Sequence, residues 1–185
     1  MKKPRVQGRM SDAAVKERSG KTWAEWFKIL DKAGAKRMDH AAITELLYNE
    51  HKVPGWWCQM IAVDYEHERG IRAKYQKCDG QFATGGSRTL NAPLAKLFKA
   101  WSDEKLRSKW LPDAEIEITK ATRGKSVRAK WDGGKSRLSV NFYVKGTGKS
   151  QVAVDHENLA SSKECAAMKN YWFEALNRLQ KELEV

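Results

Sequence analysis

The amino-acid sequence predicts an α+β protein in two parts: a unit of three short helices, then an antiparallel sheet of about five strands with one long C-terminal helix. Three observations carry this reading. Apolar residues recur at helical spacing through residues 19–72, the period drops to two beyond Gly80, and helical spacing returns as one unbroken stripe at the C-terminal end.

With 185 residues, the chain fits one ordinary domain, or one plus a small appendage. Hydrophobic residues at 41% and charged residues at 31% describe a globular protein, and no apolar run approaches the ~20 residues of a membrane span. The basic N-terminal residues are followed by no apolar stretch, so a secretory signal is not expected and the protein reads as cytoplasmic. Cys58, Cys78 and Cys165 lie far apart without a CxxC and read as reduced thiols. The formal charge is +12, distributed as +5 over residues 1–21, −2 over 22–70 and +9 over 71–185. Such a balance favours encounters with polyanions without identifying one.

Residues 1–18 hold almost no large apolar side chains and read as a basic disordered arm. The helical unit spans residues 19–72. Thr22 and Glu25 form a capping-box pair ahead of Trp23, Phe27 and Leu30, and Gly34 stops that helix. Asp39 is an N-cap for a helix with Ile43, Leu46 and Leu47 on its apolar face. Val53-Pro54-Gly55 is a turn, after which Trp56, Trp57, Met60, Ile61 and Tyr65 lead a third helix towards Gly70.

The second unit spans residues 79–185. Phe82 to Leu90 reads as a first strand, weakened and bulged at Gly85-Gly86. Pro93 opens a helix with Leu94, Leu97, Phe98 and Trp101, and Ser102 is the expected cap of a second helix with Leu106 and Trp110. Four strands with clean alternation follow, through Ile116/Ile118, Val127/Ala129/Trp131, Leu138/Val140/Phe142/Val144 and Val152/Val154/His156. The hairpin turns are Asp132-Gly133-Gly134 and Gly146-Thr147-Gly148. One face of this sheet is apolar and the other polar. Ser161 to Glu182 is the long helix, with Cys165, Met168, Trp172, Leu176 and Leu179 on one stripe.

A curved antiparallel sheet gripping a long helix is a helix-grip arrangement. Ser87-Arg88-Thr89, Lys109-Trp110-Leu111, Trp131-Asp132-Gly133, Val152 to Glu157 and Met168-Lys169 with Trp172 resemble the START-like (SRPBCC) superfamily. That superfamily includes birch pollen allergen, polyketide cyclases and activator-of-heat-shock-ATPase-like proteins. Gly55 to Met60 with Tyr65-Glu66 and Arg69-Gly70 resembles a small helical domain of unknown function that often precedes it in bacterial proteins. The resemblance implies binding of a small hydrophobic molecule between sheet and C-terminal helix, or a co-chaperone-like interaction with a protein partner; a minority of members are enzymes.

Parity places Trp131, Leu138, Val140, Phe142, His156, Met168, Trp172 and Leu176 in the interior, where they are the candidate pocket lining. A packed interior and a modest open pocket are both compatible with so short a sheet. The polar face carries Arg128, Lys130, Arg137 and Lys145, a candidate polyanion stripe. Nucleic-acid platforms interleave aromatics with such residues, and Tyr143 alone offers one, so a solvated basic face is the simpler reading.

No catalytic constellation, metal site or cofactor is expected. Gly148-Lys149-Ser150 and Gly20-Lys21-Thr22 imitate a phosphate loop, but Tyr143 and Val15 stand where its first glycine belongs. His156-Glu157 begins like a zincin helix, yet Ala160 replaces the second histidine, and His40, His51, His67 and His156 never share ligand spacing. Asp64, Glu66 and Glu68 read as a solvated helix end, and Cys165 has no base beside it.

Overall fold

The computed structural model describes residues 10–184 and divides the chain into two compact units, with the boundary between Lys74 and Tyr75. Among the described residues, the first unit holds four α-helices. α1 (Asp12–Ser19) is capped by Ser11, whose hydroxyl accepts from the Ala14 amide, and it ends at Gly20 in the left-handed region. This corrects the expectation of a disordered arm for residues 12–18; residues 1–9 lie outside the described residues. The physical reason is economical: Val15 is fully buried, and two tryptophans of the next helix anchor the segment. The Trp23 indole donates to the Met10 carbonyl at 2.9 Å and the Trp26 indole to the Ser19 hydroxyl at 2.8 Å.

α2 (Trp23–Lys32) starts at the expected Thr22/Glu25 capping box. α3 (His40–Asn49) starts at Asp39, and α4 (Gly55–Glu68) follows Pro54. Trp26, Phe27, Leu30, Ile43, Leu47, Ile61 and Tyr65 form the core of this unit. Trp56, expected inside it, is exposed, with its ring against the edge of Trp57.

The second unit runs β1 (Phe82–Leu90), α5 (Leu94–Ser102), α6 (Glu104–Trp110), β2 (Ile116–Thr122), β3 (Ser126–Trp131), β4 (Ser136–Gly146), β5 (Lys149–Leu159) and α7 (Ser162–Leu183). The five strands form one antiparallel sheet in the order β1-β5-β4-β3-β2. The fold is α+β with a long C-terminal helix, as the hydrophobic pattern indicates.

Two details differ from the sequence reading. Asp103, not Ser102, caps α6: its carboxylate accepts from the Leu106 amide, and an anion suits a helix N-terminus better than a hydroxyl does. The irregularity of β1 lies between Phe82 and Ala83, and pairing runs unbroken through Gly85 and Gly86. Glycine is required there for closeness rather than for a bulge. A Cβ on Gly85 would sit 1.9 Å from the Val154 carbonyl oxygen, and one on Gly86 would sit 3.3 Å from the Leu176 side chain on α7.

Candidate functional site

The apolar face of the sheet and the inner stripe of α7 bring the predicted interior residues together. Cross-strand register sets Leu138 opposite His156, Val140 opposite Val154 and Phe142 opposite Val152. Leu138, Val140, Phe142, His156, Trp172 and Leu176 are buried, and Trp131 and Met168 are half-buried against the same cluster. Aromatic rings occupy the space between sheet and helix: Trp131 lies 5.4 Å from Trp172 and 5.1 Å from His156, centroid to centroid, and Trp101 stacks on Trp172 at 6.1 Å.

His156 is the polar centre of this cluster. The Trp172 indole N–H donates to its Nδ1 at 3.1 Å, and its Nε2 stands 2.7 Å from the Ser136 hydroxyl, with both partners buried. An indole nitrogen is only a donor, so Nδ1 must be the bare nitrogen and Nε2 carries the proton, which it gives to Ser136 Oγ. Burial pushes the His156 pKa down to about 4, keeping the ring neutral.

A serine beside a histidine invites a nucleophile and base reading. A base must accept the serine proton on the nitrogen facing it and be oriented by an acceptor behind it. Here the facing nitrogen is protonated and a donor stands behind. Cys165 is fully buried, and its thiol is pushed up by that burial, so it is equally unsuited to attack. Among the described residues, no three His, Cys, Asp or Glu side chains are grouped to hold a metal.

A groove of about 540 Å³ lies at one margin of this unit, between α5 and the turn from β2 to β3. Leu94, Ala95, Phe98, Lys99 and Ser102 line it from the helix, and Arg123 and Gly124 line it from the turn. Phe98 links it to the predicted interior, its ring meeting Phe142 edge-on at 5.5 Å. The sequence reading groups Leu94, Leu97, Phe98 and Trp101 on this helix. Leu97 and Trp101 are buried, while Leu94 and Phe98 are half-buried. The available signal was a second strip at 94, 98 and 102, which becomes a groove only because a distant turn forms its other wall.

The polar face is less uniformly basic than its composition implies. Lys130 is ion-paired with Glu117 at 3.1 Å, and Glu157 stands beside Arg137 in register while pairing with Lys77 at 2.6 Å. The Arg128 guanidinium donates to the Val127 and Val140 carbonyls and to the Asn141 side chain. Lys145 lies over Tyr143 at 5.9 Å, eight residues along β4 from Arg137, or roughly 27 Å at strand rise. Across the sheet the row Glu117, Lys130, Arg137 and Glu157 sets two adjacent cations between two acids, and Lys145 sits at the far end of β4 from Arg137.

In the first unit, sequence reasoning missed a buried polar cluster. Glu66, expected at a solvated helix end, is 3% exposed. Its carboxylate meets Arg72 at 2.6 Å and His40 Nδ1 at 3.0 Å, and the far nitrogen of His40 meets the Gln59 amide at 2.7 Å. Partners 26 residues before and six after Glu66 have no local sequence signature.

These elements and their order define an α+β fold of the helix-grip kind, a curved antiparallel sheet with one long C-terminal helix. Compared with models of known protein families and with curated protein sequences, the chain matches none. Among solved structures it resembles the Aha1 dimer from Colwellia psychrerythraea, at 16% identity and a TM-score of 0.50, over 56% of this chain and 96% of that one. A protein from Mesorhizobium loti matches at 13% identity and a TM-score of 0.48, over 54% and 95% of the two chains. An AHSA1-like protein from Rhizobium etli matches at 20% and 0.45, over 54% and 80%. The likeness is one of fold. Among the described residues, no helix is long and apolar enough to cross a membrane.

Proposed function

We propose that this chain is a non-catalytic START-like protein of the cytoplasm that takes up a small, largely apolar molecule on its helix-grip unit. The observation that carries the reading is the groove beside Phe98. Its volume falls in the range of small-molecule sites, and its floor is continuous with the aromatic core through the Phe98 and Phe142 contact. The non-catalytic part rests on His156: a neutral ring with its proton facing Ser136 and an indole donor behind it is arranged to satisfy buried polar groups rather than to move a proton.

Native mass spectrometry of freshly purified protein, set against its denatured mass, tests the reading. The expected result is a noncovalent adduct of small-molecule mass that is lost on denaturation. A bare mass, together with no change in tryptophan fluorescence across a library of lipids and aromatic compounds, would overturn it.

A further inference from the structure

The groove beside α5 is apolar along its floor and cationic at its rim. Leu94, Ala95, Phe98, Lys99 and Ser102 occupy one side of the helix over a strip about 12 Å long at 1.5 Å per residue. The facing turn approaches closely at Gly124, which has a φ of +66° and where a Cβ would lie 3.6 Å from Leu94. Lys99 and Arg123 are exposed, and among the described residues neither side chain has an ion-pair or hydrogen-bond partner. Asp103, one turn beyond Lys99, directs its carboxylate to the Leu106 amide instead. Two uncompensated cations thus flank the groove that offers the apolar floor.

An ammonium and a guanidinium lining one groove match the oxygens of a carboxylate or a phosphate. Building on the small-molecule reading above, we propose that the ligand is an amphiphile with a single anionic head. Lys99 and Arg123 hold the head at the rim, and the apolar tail lies along Leu94 and Phe98.

The test is an amide chemical-shift titration of the full chain by NMR with decanoate, decyl phosphate and decanol, each below its aggregation threshold. The two anions are expected to bind about tenfold tighter than decanol, as two rim contacts allow, with shifts centred on residues 94–102 and 122–125. The charge reversals K99E and R123E together should abolish that preference while leaving decanol binding in place, and A95F should obstruct all three. The relative strength of decanoate and decyl phosphate would identify the preferred head. Equal affinity for decanol and the anions, or an anion preference that survives K99E/R123E, would overturn the inference and leave the proposed function standing. Shifts centred on Trp131 and Trp172 would likewise reject the groove alone. Binding of no probe, together with a bare native mass, would remove both.

Discussion

His156 provides the most quantitative prediction of this structure. Its pKa is depressed to about 4 in the folded chain by burial, against about 6.5 in an unfolded one. Between those values the unfolded chain binds a proton that the folded chain refuses, so stability is full above about pH 6.5 and is lost as pH falls towards 4. At pH 5 the unfolded state gains about 2 kcal/mol from this protonation and the native state almost nothing, so His156 alone should cost about 2 kcal/mol relative to pH 8. Urea titrations at the two pH values, followed through the Trp172 indole N–H signal, report on this unit specifically. His156→Leu is the reference. It removes the titration, and it should cost about 2 to 4 kcal/mol at pH 8, because the Trp172 indole and the Ser136 hydroxyl lose their buried partner. The difference in stability between wild type and variant should therefore shrink by about 2 kcal/mol from pH 8 to pH 5. An unchanged difference would refute the buried neutral histidine, and nitrogen shifts showing the proton on Nδ1 would refute the assigned tautomer.

Three further outcomes follow from packing. Glu66→Leu should destabilise the first unit by about 3 kcal/mol, because it strands the largely buried Arg72 guanidinium, and thermal unfolding followed by circular dichroism should register it. Gly85→Ala should cost about 2 kcal/mol or more by forcing β1 off the Val154 carbonyl, whereas Gly133→Ala, with open space around it, should cost less; paired urea curves decide this. Ser11→Ala should lower stability by about 1 kcal/mol and speed hydrogen exchange in α1 if that helix is the capped, anchored element described above.

Local signals read correctly where the physics is local. The Thr22/Glu25 box, the Asp39 cap and the two hairpin turns depend on residues within a few positions of each other, and each marks an element boundary in the structure. The alternation of β3, β4 and β5 likewise identifies which side chains face the core, because strand parity needs no knowledge of the partner. α1 was missed because its one large apolar side chain is Val15; its stability comes from indoles in the following helix, which composition does not reveal. Glu66 was misplaced for a similar reason, since a carboxylate looks solvated until a cation and a histidine from other segments converge on it.

By itself, the sequence determined the α+β class, the order of elements from α2 onward, the helix-grip likeness and the sheet residues that face the core, because these rest on periodicity and short-range chemistry. Tertiary structure alone decided which nitrogen of His156 holds its proton, since that follows from an indole 16 residues away. It also decided, through cross-strand register, that acids flank the adjacent cations Lys130 and Arg137 on the polar sheet face, and that an open groove runs beside Phe98. A groove has two walls, and here they come from segments more than 20 residues apart in the chain, α5 and the Arg123-Gly124 turn, which only folding brings together.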